Sequence, residues 1–491
     1  MKTFRLFLFL TLCLFLTSCQ NREEQLLITE SEDSLSVSDP EKLPETDQPE
    51  EIRTEALPAS DSLLPEDSYL TKDFDPRCSP YVCESEKRLY FAAKPTNFES
   101  YYENFRKYVF YIDKESGESG YLCGKPGCSH DSEDCGAYLG DKQLLTFCLY
   151  EGKLYAALKE VHDGRGEIVL IAGRTDGSGF SEIGRIPSDA YALDSPGADP
   201  MVCIHRGYLY TVISENTYAD TENEASGYPV ITEEKGLAKR FSLENLNLSE
   251  ELYRETLSEA WQSAILMIAF DGDDPVLYWE FENDDEERSL CCSEGALIIY
   301  RFPEGGAREE LFRGENPVSL NGRLRILNGE VRISGRNYQN DQAQLLQLDP
   351  EEKRFLEIQN FGSFTELDNY YGSYINYGDG YYYMVQDLVV GLPRENRLQD
   401  GKIFVSFYGE NGALLSERIL NITETMEALH LYPAGFGPYM DFYMNRFACD
   451  RDSFYGMLNI TGDGNMRYQA VLRIPIDGQE PWQVLAEKPV K

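Results

Sequence analysis

From about residue 76 the chain is a succession of short runs in which apolar and polar residues alternate. Turn residues, often containing glycine, break these runs. The clearest stretch reads LLTFCLY, then Glu151-Gly152, then KLYAALKE, then EIVLIAGRTDG, then FSEIGRI. Alternation with a period of two predicts half-buried strands, and a two-residue turn such as Glu-Gly predicts a tight hairpin. The second strand of this unit returns as RLYFAA (88–93), KLYAAL (153–158), YLYTVI (208–213), ALIIYRF (296–302), EVRISG (330–335), YYYMVQ (381–386) and SFYGML (453–458). Third strands follow as YVFYIDKESG, IVLIAGRTDG, ILMIAFDGDD, QLLQLDPEEK, IFVSFYGENG and VLRIPIDGQE, and the copy at 296 lacks one. Four-stranded units recurring every 50 to 60 residues or so predict an all-β propeller. Seven blades are expected, or six if 287–313 only elaborates its neighbour.

Two stretches read as insertions in the propeller domain, 76–491. In 215–262, Ser249-Glu250-Glu251 followed by helix formers predicts a capped helix of about ten residues. The other, 421–447, is rich in Tyr, Phe, Met and Gly. Loops on such a fold carry specificity or simply cover an edge.

The start of the chain follows a different pattern. After Lys2 and Arg5 comes the apolar run LFLFLTLCLFLTSC, Leu6 to Cys19. It is too short to cross a bilayer as a helix and suits the hydrophobic region of an export signal. Its end, Leu16-Thr17-Ser18-Cys19, resembles the lipobox of bacterial lipoproteins. The resemblance implies cleavage after residue 18, removing 1–18 as a signal peptide. It further implies lipid on the Cys19 sulfur and attachment to the cell membrane, facing away from the cytoplasm. An ordinary signal peptide with a chance cysteine is the bland alternative, although Ala-x-Ala is absent. Residues 19–75 then form a linker. Within 20–68 fifteen acidic residues face three basic ones, with prolines at 40, 44, 49, 58 and 65. Such a segment buries too little apolar surface to offset its ordering entropy, and an extended tether is expected.

Formal net charge is −40, and loss of Lys2 and Arg5 makes it −42. Such a charge excludes nucleic acid as a partner and disfavours an anionic surface. Thirty-three tyrosines fit strand structure, and four histidines leave little for multi-histidine catalysis. The Asp-rich turns FDGDDP (270–275) and NITGDGN (459–465) fit ordinary turn chemistry better than calcium. No nucleophile elbow, phosphate loop or dinucleotide fingerprint is present.

Of twelve cysteines, ten remain once Cys13 leaves with the signal and Cys19 takes lipid. Cys83, Cys148, Cys203 and Cys291 each stand seven residues before Tyr90, Tyr155, Tyr210 and Ile298, and Cys449 stands six before Tyr455. They therefore occupy nearly one repeat position, on the innermost strand of five units. A ring of channel thiols would follow that pattern. A small, soft residue packed between blades accounts for it more simply.

One dense reactive cluster stands out: Cys123, Cys128, His130 and Cys135, spaced C-x4-C-x-H-x4-C in a Gly/Pro loop. Three thiolates and an imidazole can hold a structural zinc tetrahedrally. Two of the cysteines could instead form a disulfide, or all three could stay as thiols. In each case the loop would staple a blade corner, and four protein ligands leave no open position for catalysis. The run LCGKPGCSHDSEDCGAY (122–138), behind a lipobox and acidic tether, resembles propeller-like lipoproteins of clostridial Firmicutes. The resemblance implies the fold and a Gram-positive type of membrane, and no particular activity. No catalytic residue stands out. The leading expectation is a surface-anchored propeller that binds or scaffolds a glycan, peptide or protein. The alternatives are a glycan-active hydrolase or lyase, and a sensor or accessory subunit of a membrane complex.

Overall fold

The computed structural model describes residues 82–93, 106–162, 165–187, 200–222, 229–257, 263–282, 296–318, 323–327, 329–337, 342–363, 374–378, 380–387, 389, 396–431, 441–462 and 467–490. The signal peptide, Cys19 and the acidic linker lie outside these residues. So do Cys78, Cys291 and Cys292.

The chain forms seven antiparallel sheets of four consecutive strands, a seven-bladed β-propeller. Blade one holds β1 (Val82–Glu84), β2 (Arg88–Ala93), β3 (Lys107–Asp113) and β4 (Ser119–Tyr121), with β5 (Tyr138–Gly140) also on the edge of β3. Blade two is β6 (Gln143–Tyr150), β7 (Lys153–His162), β8 (Arg165–Arg174) and β9 (Phe180–Ile186). Blade three is β10 (Met201–His205), β11 (Tyr208–Glu222), β12 (Pro229–Ser242) and β13 (Ser249–Leu257). Blade four is β14 (Ser263–Asp271), β15 (Asp274–Glu282), β16 (Ala296–Arg301) and β17 (Glu309–Glu315). Blade five is β18 (Arg323–Leu327), β19 (Glu330–Asn337), β20 (Gln342–Asp349) and β21 (Arg354–Ser363). Blade six is β22 (Tyr374–Tyr377), β23 (Tyr381–Asp387), β24 (Lys402–Gly409) and β25 (Leu414–Asn421). Blade seven is β26 (Asp441–Cys449), β27 (Ser453–Thr461), β28 (Arg467–Pro475) and β29 (Gln483–Val490). Short helices α1 (Arg397–Asp400) and α2 (Ile422–Ala428) accompany blade six.

The turn chemistry acts as expected. Glu151-Gly152 and Arg206-Gly207 both have positive φ at both positions, and this closes two-residue hairpins with the right twist. Alternation then sends successive side chains of a strand to opposite faces. On β14, Leu266 and Ile268 pack towards blade three, while Met267 and Ala269 pack towards blade five. The apolar core is accordingly divided into seven clusters, each drawn from two neighbouring blades. The cluster between blades seven and one joins Phe91 and Phe110 to Phe447, Tyr455 and Val471.

Among the described residues no blade borrows a strand from the far end of the chain, and packing with an ion-pair triad spans the seam between blades seven and one. Lys114, just past β3, donates to Glu84 Oε2 at 2.6 Å and to Asp450 Oδ2 of blade seven at 2.8 Å. The Tyr455 hydroxyl also donates to Asp450 Oδ2, at 2.9 Å. Backbone-linked contacts tie other blades together. His205 Nε2 lies 2.7 Å from the Gly272 carbonyl, and the Tyr381 hydroxyl donates to the Ser453 carbonyl at 3.2 Å.

Several expectations are corrected. Residues 215–262 are no insertion, because 208–257 supplies the second, third and fourth strands of blade three. The helix expected after Ser249 is strand β13, which pairs with β12. Its Tyr253 is buried and Leu257 packs on the same inter-blade core, a period-two pattern that overrides the local helix propensity. ILMIAFDGDD belongs to β14, an innermost strand, and ALIIYRF to β16, a third strand. The second strand between them is β15, DPVLYWEFE. This is why the copy at 296 lacked a third strand, and why seven blades stand and six do not. In 421–447, the first part is α2, whose Ile422, Thr425 and Met426 are buried, and 441–447 belongs to β26. Residues 432–440 lie outside the described residues.

Candidate metal centre

The Cys/His cluster sits where the outer strand of blade one is cut in two. β4 pairs with Phe110 to Ile112, and β5 pairs with Lys107 and Tyr108. Leu122 N–H donates to the Val109 carbonyl and Val109 N–H to the Ala137 carbonyl, both at 2.8 Å. Residues 122–137 thus leave and rejoin the edge of a single strand. Nothing local in the alternation announces this split, which is why sequence reasoning placed the loop after a blade and not inside its fourth strand.

The loop brings all four expected ligands together. One ligand atom from each of Cys123, Cys128, His130 and Cys135 lies within 4.8 Å of the others. Tetrahedral zinc, with Zn–S near 2.3 Å, sets ligand atoms about 3.7 Å apart, so a small contraction completes the shell. The cluster could hold a metal ion. Left-handed backbone at Gly127 (φ 71) and His130 (φ 56) turns the chain on either side of Cys128. The His130 ring stacks on Tyr121 at 4.3 Å between centroids, with its Nδ1 3.2 Å from Cys135 Sγ. Tyr121 ends β4 and also packs on Phe110 at 4.4 Å, so the imidazole is oriented by the sheet itself. Support of this kind fixes ring orientation in metal sites.

The electrostatics suit ligation. Burial pushes the Cys123 thiol up, but N–H donors of Lys125 and Gly136 aimed at its sulfur outweigh this and hold it below the ordinary thiol range. Burial and the neighbouring Cys128 and Cys123 thiols push Cys135 up to about 12, against a hydrogen bond from Ala137 N–H. Burial lowers His130, which favours the neutral imidazole that ligates metals. Packing three thiolates together costs Coulomb energy, which a dication would offset.

The loop is seated on blade two. Gly124 N–H donates to the Gly177 carbonyl at 2.9 Å. A Cβ on Gly136 would lie 2.6 Å from the Gly177 oxygen, and one on Gly177, at φ +73, would lie 2.7 Å from Gly124 N. Three glycines therefore let the ligand loop touch the β8–β9 turn, backbone against backbone. Arg106 Nη1 donates to the Asp131 carbonyl at 2.7 Å, and Lys125 Nζ donates to the Asp134 carbonyl.

The repeat-position cysteines are a separate matter. Cys83, Cys148 and Cys203 pair directly across to Tyr90, Tyr155 and Tyr210. Cys449 faces Phe454, displaced by a bulge between Arg446 and Ala448. All four are buried, each in a different inter-blade core, as packing residues would be. Burial pushes Cys148 up to about 12 and Cys203 still higher. The blade-four innermost strand is β14, so the repeat position does not fall on Cys291. No disulfide joins the described cysteines.

The Asp-rich turn at 270–275 is occupied by partners from the chain itself. Asp271 pairs with Arg301 at 2.9 Å, Asp273 pairs with Arg206, and Asp274 accepts from Glu304 N–H at 3.0 Å. Residues 463–466 of the second turn lie outside the described residues. No helix among the described residues is long and apolar enough to cross a membrane.

No family model matches the chain, and no curated protein matches it. It is similar to several solved structures. One is the acylaminoacyl peptidase of Pyrococcus horikoshii, at 10% identity, TM-score 0.43, over 83% of this chain and 52% of that one. Another is an oligogalacturonate lyase in complex with manganese, at 13% identity, TM-score 0.39, over 79% and 86% of the two chains. A third is the β-propeller domain of the Trilobed protease from Pyrococcus furiosus, at 8% identity, TM-score 0.39, over 83% and 97%. The chain spans about half the length of the peptidase.

Proposed function

We propose that the chain is a membrane-anchored extracytoplasmic lipoprotein, tethered through Cys19. Its propeller binds or scaffolds a ligand or protein at the cell surface, and the 123–135 loop holds a structural zinc. The anchor rests on Leu16-Thr17-Ser18-Cys19 behind its basic and apolar leader. The likeness of 122–138 to lipoproteins of clostridial Firmicutes agrees with it.

The observation that carries binding over catalysis lies on the inner strands. Their carboxylates with described side chains are Glu84 and Asp271, each already in an ion pair with Lys114 or Arg301. Half-buried Tyr443 stands on the same ring of strands, whereas Tyr374 packs into the core between blades six and seven. Acids already committed to ion pairs, beside an aromatic side chain, suit recognition of a sugar or peptide better than general acid–base work.

The experiment uses the full chain in a Gram-positive host fed a clickable palmitate analogue. Wild type should be labelled and membrane-bound, while Cys19→Ala should be unlabelled and released. Unlabelled wild type in the medium would sink the anchor. Native mass spectrometry of the same material should show one zinc per chain and ten free thiols after denaturation. A metal-free native mass with eight thiols would replace zinc by a disulfide. A co-purified adduct lost on Tyr443→Ala would support binding, and a bare protein that takes up no cell-wall glycan or surface peptide would remove that support.

A further inference from the structure

We infer that the 123–135 loop is an oxidant-sensitive release site, in which peroxide couples Cys123 to Cys128, expels the metal and frees the loop from blade two. The inference rests on the zinc reading above and adds a regulatory role to that site.

Accessibility selects these two thiols. Cys83, Cys148, Cys203 and Cys449 are buried in inter-blade cores, whereas Cys123 and Cys128 are half-buried on the outer rim of blade one. Cys135 is different again. It is 5% exposed, with its sulfur beside His130 Nδ1 at 3.2 Å and Ala137 N–H at 3.4 Å. An oxidant arriving from solvent therefore meets Cys123 and Cys128 first. Their sulfurs already lie within 4.8 Å, so a small movement of the loop brings them into bonding distance.

The chemistry balances with peroxide as the oxidant. The Cys128 thiolate attacks one peroxide oxygen and becomes a sulfenic acid, and the departing hydroxide takes a proton to become water. The Cys123 thiolate then attacks that sulfur, the S–S bond forms, and a second hydroxide leaves as water on protonation. One peroxide is reduced by two electrons while two thiolates are oxidised to a disulfide. The metal is left with Cys135 and His130 alone, two ligands where four held it, and dissociates.

The output is built into the backbone. Gly124, next to Cys123, makes the hydrogen bond to Gly177, and Gly136, next to Cys135, packs on the same carbonyl. Both N–H groups that support the Cys123 sulfur, of Lys125 and Gly136, flank these contacts. Drawing Cys123 towards Cys128 pulls on Gly124, and loss of metal releases Gly136. The β8–β9 turn then loses its neighbour. The zinc and disulfide alternatives are, on this view, the two ends of one switch.

The test uses the full-length mature protein carrying zinc. One equivalent of hydrogen peroxide is added, a chromophoric chelator follows free zinc, and alkylation with peptide mapping follows the thiols. Hydrogen exchange is read over Asp176 to Gly179. The expected result is one zinc released per chain, two thiols lost as a Cys123–Cys128 disulfide, and faster exchange in that turn, all reversed by dithiothreitol with zinc. Retention of zinc with all thiols intact would overturn the inference, as would release with only sulfinic or sulfonic products. Release with unchanged exchange at Asp176 to Gly179 would overturn the coupling to blade two. Protein that binds no zinc before peroxide would remove the zinc reading itself, and this outcome is distinct because it precedes oxidation.

Discussion

Lys114 of the first blade meets Asp450 of the last at 2.8 Å, and this contact lies across the seam where the ring of blades closes. The same ammonium holds Glu84 at 2.6 Å, and its side chain is only 9% exposed. Two carboxylates around one cation leave a buried network whose members depend on one another. Removing one partner of a buried pair typically costs about 3–5 kcal/mol, because the remaining charge is stranded. Lys114→Met should therefore lower stability by about that amount, read as a shift in the urea midpoint. Lys114→Met combined with Glu84→Gln and Asp450→Asn should recover part of the loss. No recovery would mean that packing alone closes the seam.

The pH dependence of the seam follows from the same groups. Burial pushes the Asp450 carboxyl up, but Lys114 and its hydrogen bonds outweigh this and hold it below the ordinary carboxylate range. A group with a depressed folded value contributes stability above its unfolded value, near 3.9, and loses it as pH falls through the folded one. Burial pulls Lys114 down, and Glu84 and Asp450 outweigh this and raise it, so its contribution fades only above the ordinary lysine value of about 10.4. Acid titration of stability should show a step below about pH 4 that is missing in Asp450→Asn.

Glu234 gives the opposite sign. It is fully buried on β12, neither carboxylate oxygen has a hydrogen-bond partner, and burial raises its pKa to about 7. Two residues on, Gly236 packs against Trp279 of blade four, so the Glu234 side chain faces the same seam. A raised folded value means stability is fully present below the unfolded value of about 4.3 and is lost as pH rises towards the folded one. Between about pH 4.3 and 7 the wild type should lose at most about 3 kcal/mol, and Glu234→Gln should flatten that slope. Thermal unfolding at several pH values checks it. A slope identical in the variant would assign the effect elsewhere.

Glycine substitutions separate strain from contact at the metal loop. Gly127→Ala meets nothing within 4 Å and suffers only the left-handed penalty at φ +71, about 1–2 kcal/mol. Gly136→Ala instead drives a methyl to 2.6 Å from the Gly177 oxygen and displaces an N–H that supports Cys123. Gly136→Ala should weaken zinc binding at least tenfold in a chelator competition, and Gly127→Ala less than that. Equal effects would show that seating on blade two does not matter to the site.

Some of this architecture was legible in the amino-acid order and some was not. The pairing of LLTFCLY with KLYAALKE through Glu151-Gly152 is local, and periodicity with turn chemistry was enough to read it. ILMIAFDGDD and ALIIYRF also read correctly as strands. Their ranks within a blade depended on which other strand paired with each, which alternation does not encode. Ser249–Leu257 has the composition of a helix and becomes an outer strand because β12 offers a paired edge and blade four an apolar face.

By itself the sequence determined an all-β chain of four-stranded repeats, with seven or six blades, and three cysteines and a histidine close enough in the chain to share a metal; the strand pairing in the structure decided seven. These follow from periodicity and spacing, which act over a few residues. Only the tertiary structure decided that the ligand loop splits the outer strand of blade one, and that three glycines seat it on blade two. Only it decided that the repeated cysteines are inter-blade packing, and that Lys114 joins Asp450 across 336 residues of chain. Those contacts arise when the ring closes, because closure brings together surfaces whose complementarity no local segment carries.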